Sequence, residues 1–290
     1  MKFASIIYDG GRDVALVDSQ AARVWPLRDI LPIPPKSMLE LIRSYSYLRP
    51  LLALQGDGLD LALVRLEAPI PRPLRNIICV GKNYAAHATE FSKSGFDATR
   101  DTTLPAAPIV FTKAPESVIA NNEDIRIPHG VSDQIDYEAE LAVIIGKPGI
   151  GISREDAMSH VWGYTILNDV TARDLQKRHQ QWFLAKSMDT FCPMGPWVVT
   201  ADEINGAALR VECLVNGELR QDASTCDLIF DIPSLIETIS AGMTLQAGDI
   251  IATGTPAGVG IGFAPPRFLR PGDRVSIRIS GIGELNNSVI

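Results

Sequence analysis

The chain has 290 residues, with 27 Lys and Arg against 34 Asp and Glu, giving a formal net charge of −7. That balance excludes a protein held mainly on nucleic-acid phosphates, which needs a basic surface. Hydrophobic residues make up 46% of the chain, which excludes a disordered protein, and the 20 prolines and 23 glycines are scattered without period, which excludes collagen-like and low-complexity chains. No stretch approaches the ~18 apolar residues of a membrane span. The opening MKFASIIYDGGRD meets charge and glycine too early for a signal peptide. Cys79, Cys192, Cys213 and Cys226 lie far apart without CxxC spacing, so reduced cysteines of a cytoplasmic protein are expected, not a zinc site or disulfide framework.

In chain order, FASIIY at 3–8 and DVALV at 13–17 read as strands joined by an Asp9-Gly10-Gly11 turn. Ser37 is placed to cap a helix that starts at Met38 and breaks at Pro50. Pro69, Pro71 and Pro73 form a stiff linker. A small N-terminal α+β domain over 1–70 and a larger domain over 71–290 are expected. Beyond the linker, 76–81, 139–145, 161–167 and 211–215 read as strands, the last followed by an Asn216-Gly217 hairpin turn. Thr171 and Asp174 have the spacing of a capping box for a helix to about Arg178. Gly248-Asp249 and Gly272-Asp273 each launch an apolar strand. Strands dominate and long helical patterns are rare, which predicts a mixed, mainly β fold of closed or rolled type rather than a βαβ sheet.

Glu138 and Glu140 lie two apart at the start of the 139–145 strand, so both point to the face continued by Ala142 and Ile144. Two carboxylates opening an apolar strand repel each other and resist burial, and a divalent cation removes both costs. A solvated strand end explains the spacing equally well. Asp169 follows the 161–167 strand, where a turn or cap is its ordinary role. Joined to Glu138 and Glu140 it completes an all-oxygen triad suited to Mg²⁺ or Mn²⁺. His87 and Glu90 are three apart, which on a helix gives either a surface pair or an imidazole oriented as a general base. The segment from Phe91 to Pro105 is polar and glycine-containing, like a lid. Lys186 sits among apolar and small residues, either snorkelling or placed to stabilise an oxyanion. The 253–258 run TGTPAG offers hydroxyls and N–H groups to an anion. The nearby GVGIG at 258–262 is not a dinucleotide loop: its third glycine comes one residue early, and Pro265 and Pro266 prevent the helix that must follow.

Taken together, these segments resemble the fumarylacetoacetate hydrolase family. The resemblance is collinear over about 75–290 and rests on Gly81-Lys82-Asn83-Tyr84 with His87, on 136–141 (DYEAEL), on 168–174 (NDVTARD) with Gln176, on 186–191 (KSMDTF), on 193–196 (PMGP) and on 253–259 (TGTPAGV). It implies a mixed β-roll catalytic domain, a homodimer, and a Mg²⁺- or Mn²⁺-dependent reaction on a 2-oxo acid. By motif position it implies Glu138, Glu140 and Asp169 as metal ligands, His87 with Glu90 as a water-activating dyad on a lid helix, and Lys186 as the oxyanion lysine. Arg173, Gln176 and Thr255 are implied as substrate contacts. The leading expectation is a C–C hydrolase that splits a 2,4-dioxo acid of acylpyruvate type into pyruvate or a related 2-oxo acid plus a carboxylic acid. The alternatives are an oxaloacetate decarboxylase, a 2-oxo acid hydratase or isomerase, and a non-catalytic β-roll binding module. Oxaloacetate tautomerisation belongs to the same family repertoire, whose shared step is a metal-bound enolate.

Overall fold

A computed structural model describes residues 1–54, 56–97 and 104–290. Its backbone is one long, mostly antiparallel sheet backed by a smaller one. Across the long sheet the order runs Leu59–Asp60, Arg23–Pro26, Gly11–Asp18, Lys2–Tyr8, Cys192–Thr200, Val161–Asn168, Ala139–Ile145, Ile250–Ala252, Ile77–Gly81 and Ile109–Lys113. The Ile250–Ala252 and Ile77–Gly81 strands pair in parallel. The smaller sheet joins Glu218–Ser224, Arg210–Val215, Arg274–Ile279 and Gly283–Ser288 by antiparallel pairing. The mixed, mainly β reading is therefore correct.

Alternation along the strands builds two cores. Leu141, Val143 and Ile145 point to the side where Val211, Cys213, Val275 and Ile277 of the smaller sheet pack. Ala142 and Ile144 point the other way, with Ile77, Cys79 and Leu167, toward Phe3, Val14 and the Met38–Leu48 helix. That second face leads to the carboxylates. The helix starts where Ser37 accepts a hydrogen bond from the Glu40 N–H. The Arg210–Val215 and Glu218–Ser224 strands turn through Asn216 and Gly217 at φ 53° and 79°, the left-handed pair that a two-residue hairpin loop requires.

The expected capping box at Thr171 and Asp174 does not form. Thr171 lies in a short strand paired with Ile135–Asp136, its hydroxyl donates to the Asp169 carbonyl, and Asp174 accepts from Ser132 instead. The Arg173–His179 helix starts without a side-chain cap, because a tertiary strand pairing already holds the residues before it.

The first 70 residues add to the same long sheet, since Lys2–Tyr8 pairs with Cys192–Thr200. Phe3 stacks on Trp162 at 5.9 Å, and Tyr45 meets both rings edge-on. Phe3→Ala should therefore cost about 3–5 kcal/mol, read as a lower denaturant midpoint of a single transition. Two resolved transitions in the parent protein would show that the N-terminal strands unfold on their own.

Candidate active site

Glu138 stands just before the Ala139–Ile145 strand and Glu140 within it, and the chain leaves the paired Val161–Asn168 strand at Asp169. Antiparallel pairing sets Ala139 opposite Asn168, so the three carboxyl groups come together across one strand pair. The Asp169 N–H donates to the Glu138 carbonyl at 2.8 Å, and the Glu138 N–H to the Asn168 side-chain oxygen at 3.0 Å. All three carboxylates are buried, and one ligand oxygen from each lies within 4.8 Å of the others. The solvated strand end is thereby ruled out.

Three buried cations face them. Lys186 Nζ donates to Glu138 Oε2 at 2.6 Å and Asp169 Oδ2 at 2.7 Å. Lys113 Nζ donates to the other Asp169 oxygen at 2.6 Å. Arg173 reaches Glu138 Oε1 at 2.6 Å and donates to Asp136 at 2.9 Å. Burial works against charge on Glu138, but Lys186 and then Arg173 outweigh it and hold its carboxyl down at about 2. Glu140 is the opposite case. Burial, then the charges of Asp169 and Glu138, hold its carboxyl well above the ordinary 4.5. Its oxygen accepts the Gly254 N–H at 2.8 Å. A hard, all-oxygen donor set with one carboxyl forced toward its protonated form fits a divalent cation such as Mg²⁺ or Mn²⁺.

His87 and Glu90 share a face of the Ala85–Lys93 helix, with His87 Nδ1 3.2 Å from Glu90 Oε2. A carboxylate there makes Nδ1 the protonated nitrogen and leaves Nε2 as the basic one. Glu90 is itself held, because the Gly258 N–H donates to its second oxygen at 3.0 Å. A Cβ on Gly262 would lie 1.8 Å from Glu90 Oε1. The GVGIG run thus binds carboxylates of its own chain: Gly260 and Ile261 N–H groups donate to Asp136 at 2.6 and 3.1 Å.

His87, Glu138, Glu140, Arg173, Gln176, Lys186 and Thr255 line one small cavity, walled by Phe91, Phe111 and Trp182. The structure therefore gathers the set expected from sequence, with Glu90 behind His87 and Asp169 reached through Lys186 and the carboxylate cluster. Arg173 also donates to Gln176 at 3.0 Å. Of the 91–105 segment expected as a lid, 98–103 lie outside the described residues; the Asp97 carboxylate pairs with Lys82 at 2.6 Å. The sequence reading missed Lys113 and Gln221, and it named Asn83 and Asp136 only within motifs, without a role. Asn83 donates to the Thr253 and Phe230 carbonyls and accepts the Phe230 N–H, fixing the TGTPAG loop. The available signal was a lone charge ending the apolar Ile109–Lys113 strand.

Comparison with known proteins agrees with this geometry. The family model described as fumarylacetoacetate (FAA) hydrolase C-terminal matches residues 76–290. Oxaloacetate tautomerase YisK of Bacillus subtilis (strain 168) is 56% identical over 231 residues, covering 79% of this chain and 74% of that protein. A fumarylacetoacetate hydrolase from psychrophilic Exiguobacterium antarcticum superposes with a TM-score of 0.82 at 41% identity, covering 100% of this chain and 99% of that one. Maleylpyruvate hydrolase from Sphingobium sp. SYK-6, in complex with manganese(II) ion and pyruvate, gives 0.78 at 34% identity, with 100% and 99% covered. The chain belongs to the fumarylacetoacetate hydrolase family.

As pH rises past the ordinary carboxylate value of 4.5, the unfolded chain loses the Glu140 proton before the folded chain does. Glu140 therefore costs the metal-free fold stability on the alkaline side. A bound cation displaces that proton, so Mn²⁺ added above this value should release about one proton per site. Glu140→Gln should release fewer, raise the melting temperature of metal-free protein and weaken Mn²⁺ binding. Equal proton release by parent and variant would contradict this assignment. Gly262→Ala offers a separate check. The atoms nearest its Cβ would be Oε1, Cδ and Cγ of the flexible Glu90 side chain, so stability should hold while turnover falls about 100-fold with the loss of an oriented base.

Proposed function

We propose that this protein is a divalent-metal-dependent enzyme that interconverts the keto and enol forms of a 2-oxo acid, with oxaloacetate as substrate. The observation that carries this reading is the small cavity in which the carboxylate triad, the Lys186 ammonium and the Glu90-oriented His87 meet. Similarity to the Bacillus oxaloacetate tautomerase weights the choice among family reactions toward oxaloacetate and away from the hydrolase expected first. Glu138, Glu140 and Asp169 would hold the metal, which when bound polarises the 2-oxo group and anchors the adjacent carboxylate.

The chain's own residues then move the proton. His87 Nε2 takes a proton from C3 of the keto form, and the electron pair of that C–H bond becomes the C2–C3 double bond. The negative charge gathers on the 2-oxo oxygen. Lys186 has three N–H donors, two of them on Glu138 and Asp169. The third is available to that oxygen. Return of the proton held on His87 Nε2 to that oxygen completes the enol, and the reverse sequence regenerates the ketone. Phe91, Phe111 and Trp182 keep bulk water from competing for the proton.

A second reading, hydrolysis of a 2,4-dioxo acid, is favoured by the same His87–Glu90 dyad, which suits a water nucleophile, and by the manganese- and pyruvate-bound maleylpyruvate hydrolase of the same fold. Decarboxylation of oxaloacetate needs the same electron sink and no water. One Mn²⁺-loaded preparation separates the three. Enol absorbance follows tautomerisation, and pyruvate release is measured from oxaloacetate and from an acylpyruvate. The expected result is tautomerisation as the fastest of the three, falling about 100-fold in His87→Ala. Pyruvate release from an acylpyruvate without acceleration of the oxaloacetate keto–enol exchange would replace this proposal with the hydrolase.

A further inference from the structure

Gln221 lies in the Glu218–Ser224 strand of the smaller sheet, outside the motifs of the site, yet it is fully buried against it. Its side chain meets three groups. Oε1 accepts the Ala139 N–H at 3.0 Å, between the ligand candidates Glu138 and Glu140. Nε2 donates to the Pro256 carbonyl at 2.7 Å and to Thr255 Oγ1 at 2.8 Å. Two of these partners have no freedom of role. A backbone N–H only donates and a backbone carbonyl only accepts, so the orientation of the amide is fixed.

The consequence falls on Thr255. Its oxygen must accept from Gln221, so its own proton cannot point there. Among the described residues that proton meets no acceptor. Thr255 lines the cavity, beside the loop whose Gly254 N–H holds Glu140. The hydroxyl is left as a donor toward whatever ligand occupies the cavity. The metal would engage one oxygen of the substrate carboxylate, which leaves the second for Thr255; an amide held there by its carbonyl oxygen presents only NH₂, which cannot accept the hydroxyl proton. We propose that Gln221 is a positioning residue that fixes the Thr255 hydroxyl as a donor to the substrate carboxylate, and so makes the site select a carboxylate over the matching amide. This rests on the 2-oxo acid reading above.

The test measures binding, not turnover. Pyruvate and pyruvamide are titrated into Mn²⁺-loaded protein by calorimetry, and the ratio of their affinities is the readout. A hydrogen bond to a charged group is worth about tenfold or more in affinity. Gln221→Met keeps the side-chain length but removes the donor, which frees the Thr255 hydroxyl to turn. The preference for pyruvate should fall about tenfold in Gln221→Met and by a similar factor in Thr255→Val, while Thr255→Ser retains it. In the double variant the ratio should fall no further than in Thr255→Val alone. A merely structural role for Gln221 would weaken both ligands alike and leave the ratio unchanged, and that result overturns the proposal. Gln221→Met also orphans the Ala139 N–H and the Pro256 carbonyl. Should it not fold, a parent-like ratio in Thr255→Val overturns the proposal by itself, and a lowered ratio restored by Thr255→Ser supports it. Failure of the substrate reading is distinct: parent protein would then bind neither pyruvate nor pyruvamide. An intact ratio without oxaloacetate turnover would remove the tautomerase activity and leave the Thr255 polarity supported.

Discussion

Everything at the centre of this molecule depends on a nearly balanced set of buried charges. Asp136, Glu138, Glu140 and Asp169 are all but inaccessible to water, and so are Lys113, Arg173 and Lys186. Removing an ion from water costs several kcal/mol even after relaxation, so each must be repaid locally. Asp169 is shared by Lys113 and Lys186, Glu138 by Lys186 and Arg173, and Asp136 by Arg173 and three backbone N–H groups. Glu140 receives a single backbone N–H, and two like charges face it. The deficit is thus concentrated on one carboxyl, on the ligand side of the cluster. A divalent cation there corrects it and turns the formal balance positive, which suits an anionic substrate.

The glycine run at 258–262 shows how the same chemistry serves a different tenant. A loop rich in exposed N–H groups binds anions, whether phosphate or carboxylate. The run lacks the spacing and the following helix that a dinucleotide needs. Its N–H groups nevertheless bind carboxylates, those of Glu90 and Asp136. Through Glu90 the loop orients His87, and through Asp136 it steadies Arg173. The lack of a side chain at Gly262 matters because Glu90 lies against that Cα.

What was legible from sequence was local or periodic. Alternation placed Glu138 and Glu140 on one face, the Ser37 cap fixed a helix start, and Asn216-Gly217 fixed a hairpin. Three-residue spacing paired His87 with Glu90, but only the fold could turn that pair inward. Lys113 is 56 positions from Asp169, and Gln221 is 82 from Ala139. Neither has a local partner that would mark it, and a single charge or amide at a strand position reads as a solvated edge. The Thr171–Asp174 spacing misled for the converse reason. A valid local signal was overridden by pairing with the Ile135–Asp136 strand and by Ser132.

The reactions open to this family share one electron sink, so the site's surroundings must decide among them. Trp182 lies so close over Gly81 that a Cβ there would stand 2.4 Å from the ring, and it packs edge-on against Phe91 and Phe111. Phe91 also lies 6.2 Å from the His87 ring. Aromatic rings thus wall one side of the imidazole, while Glu138, Glu140, Arg173, Gln176, Lys186 and Thr255 line the rest of the same cavity. The Lys82 ammonium, paired with Asp97 and seated 5.2 Å over Phe91, closes the same side with a neutralised ion pair rather than a hydrated charge. The dyad suits either reaction: the polar residues of the cavity offer partners to a water, and the rings beside His87 shield a proton moving between the imidazole and a bound carbon acid.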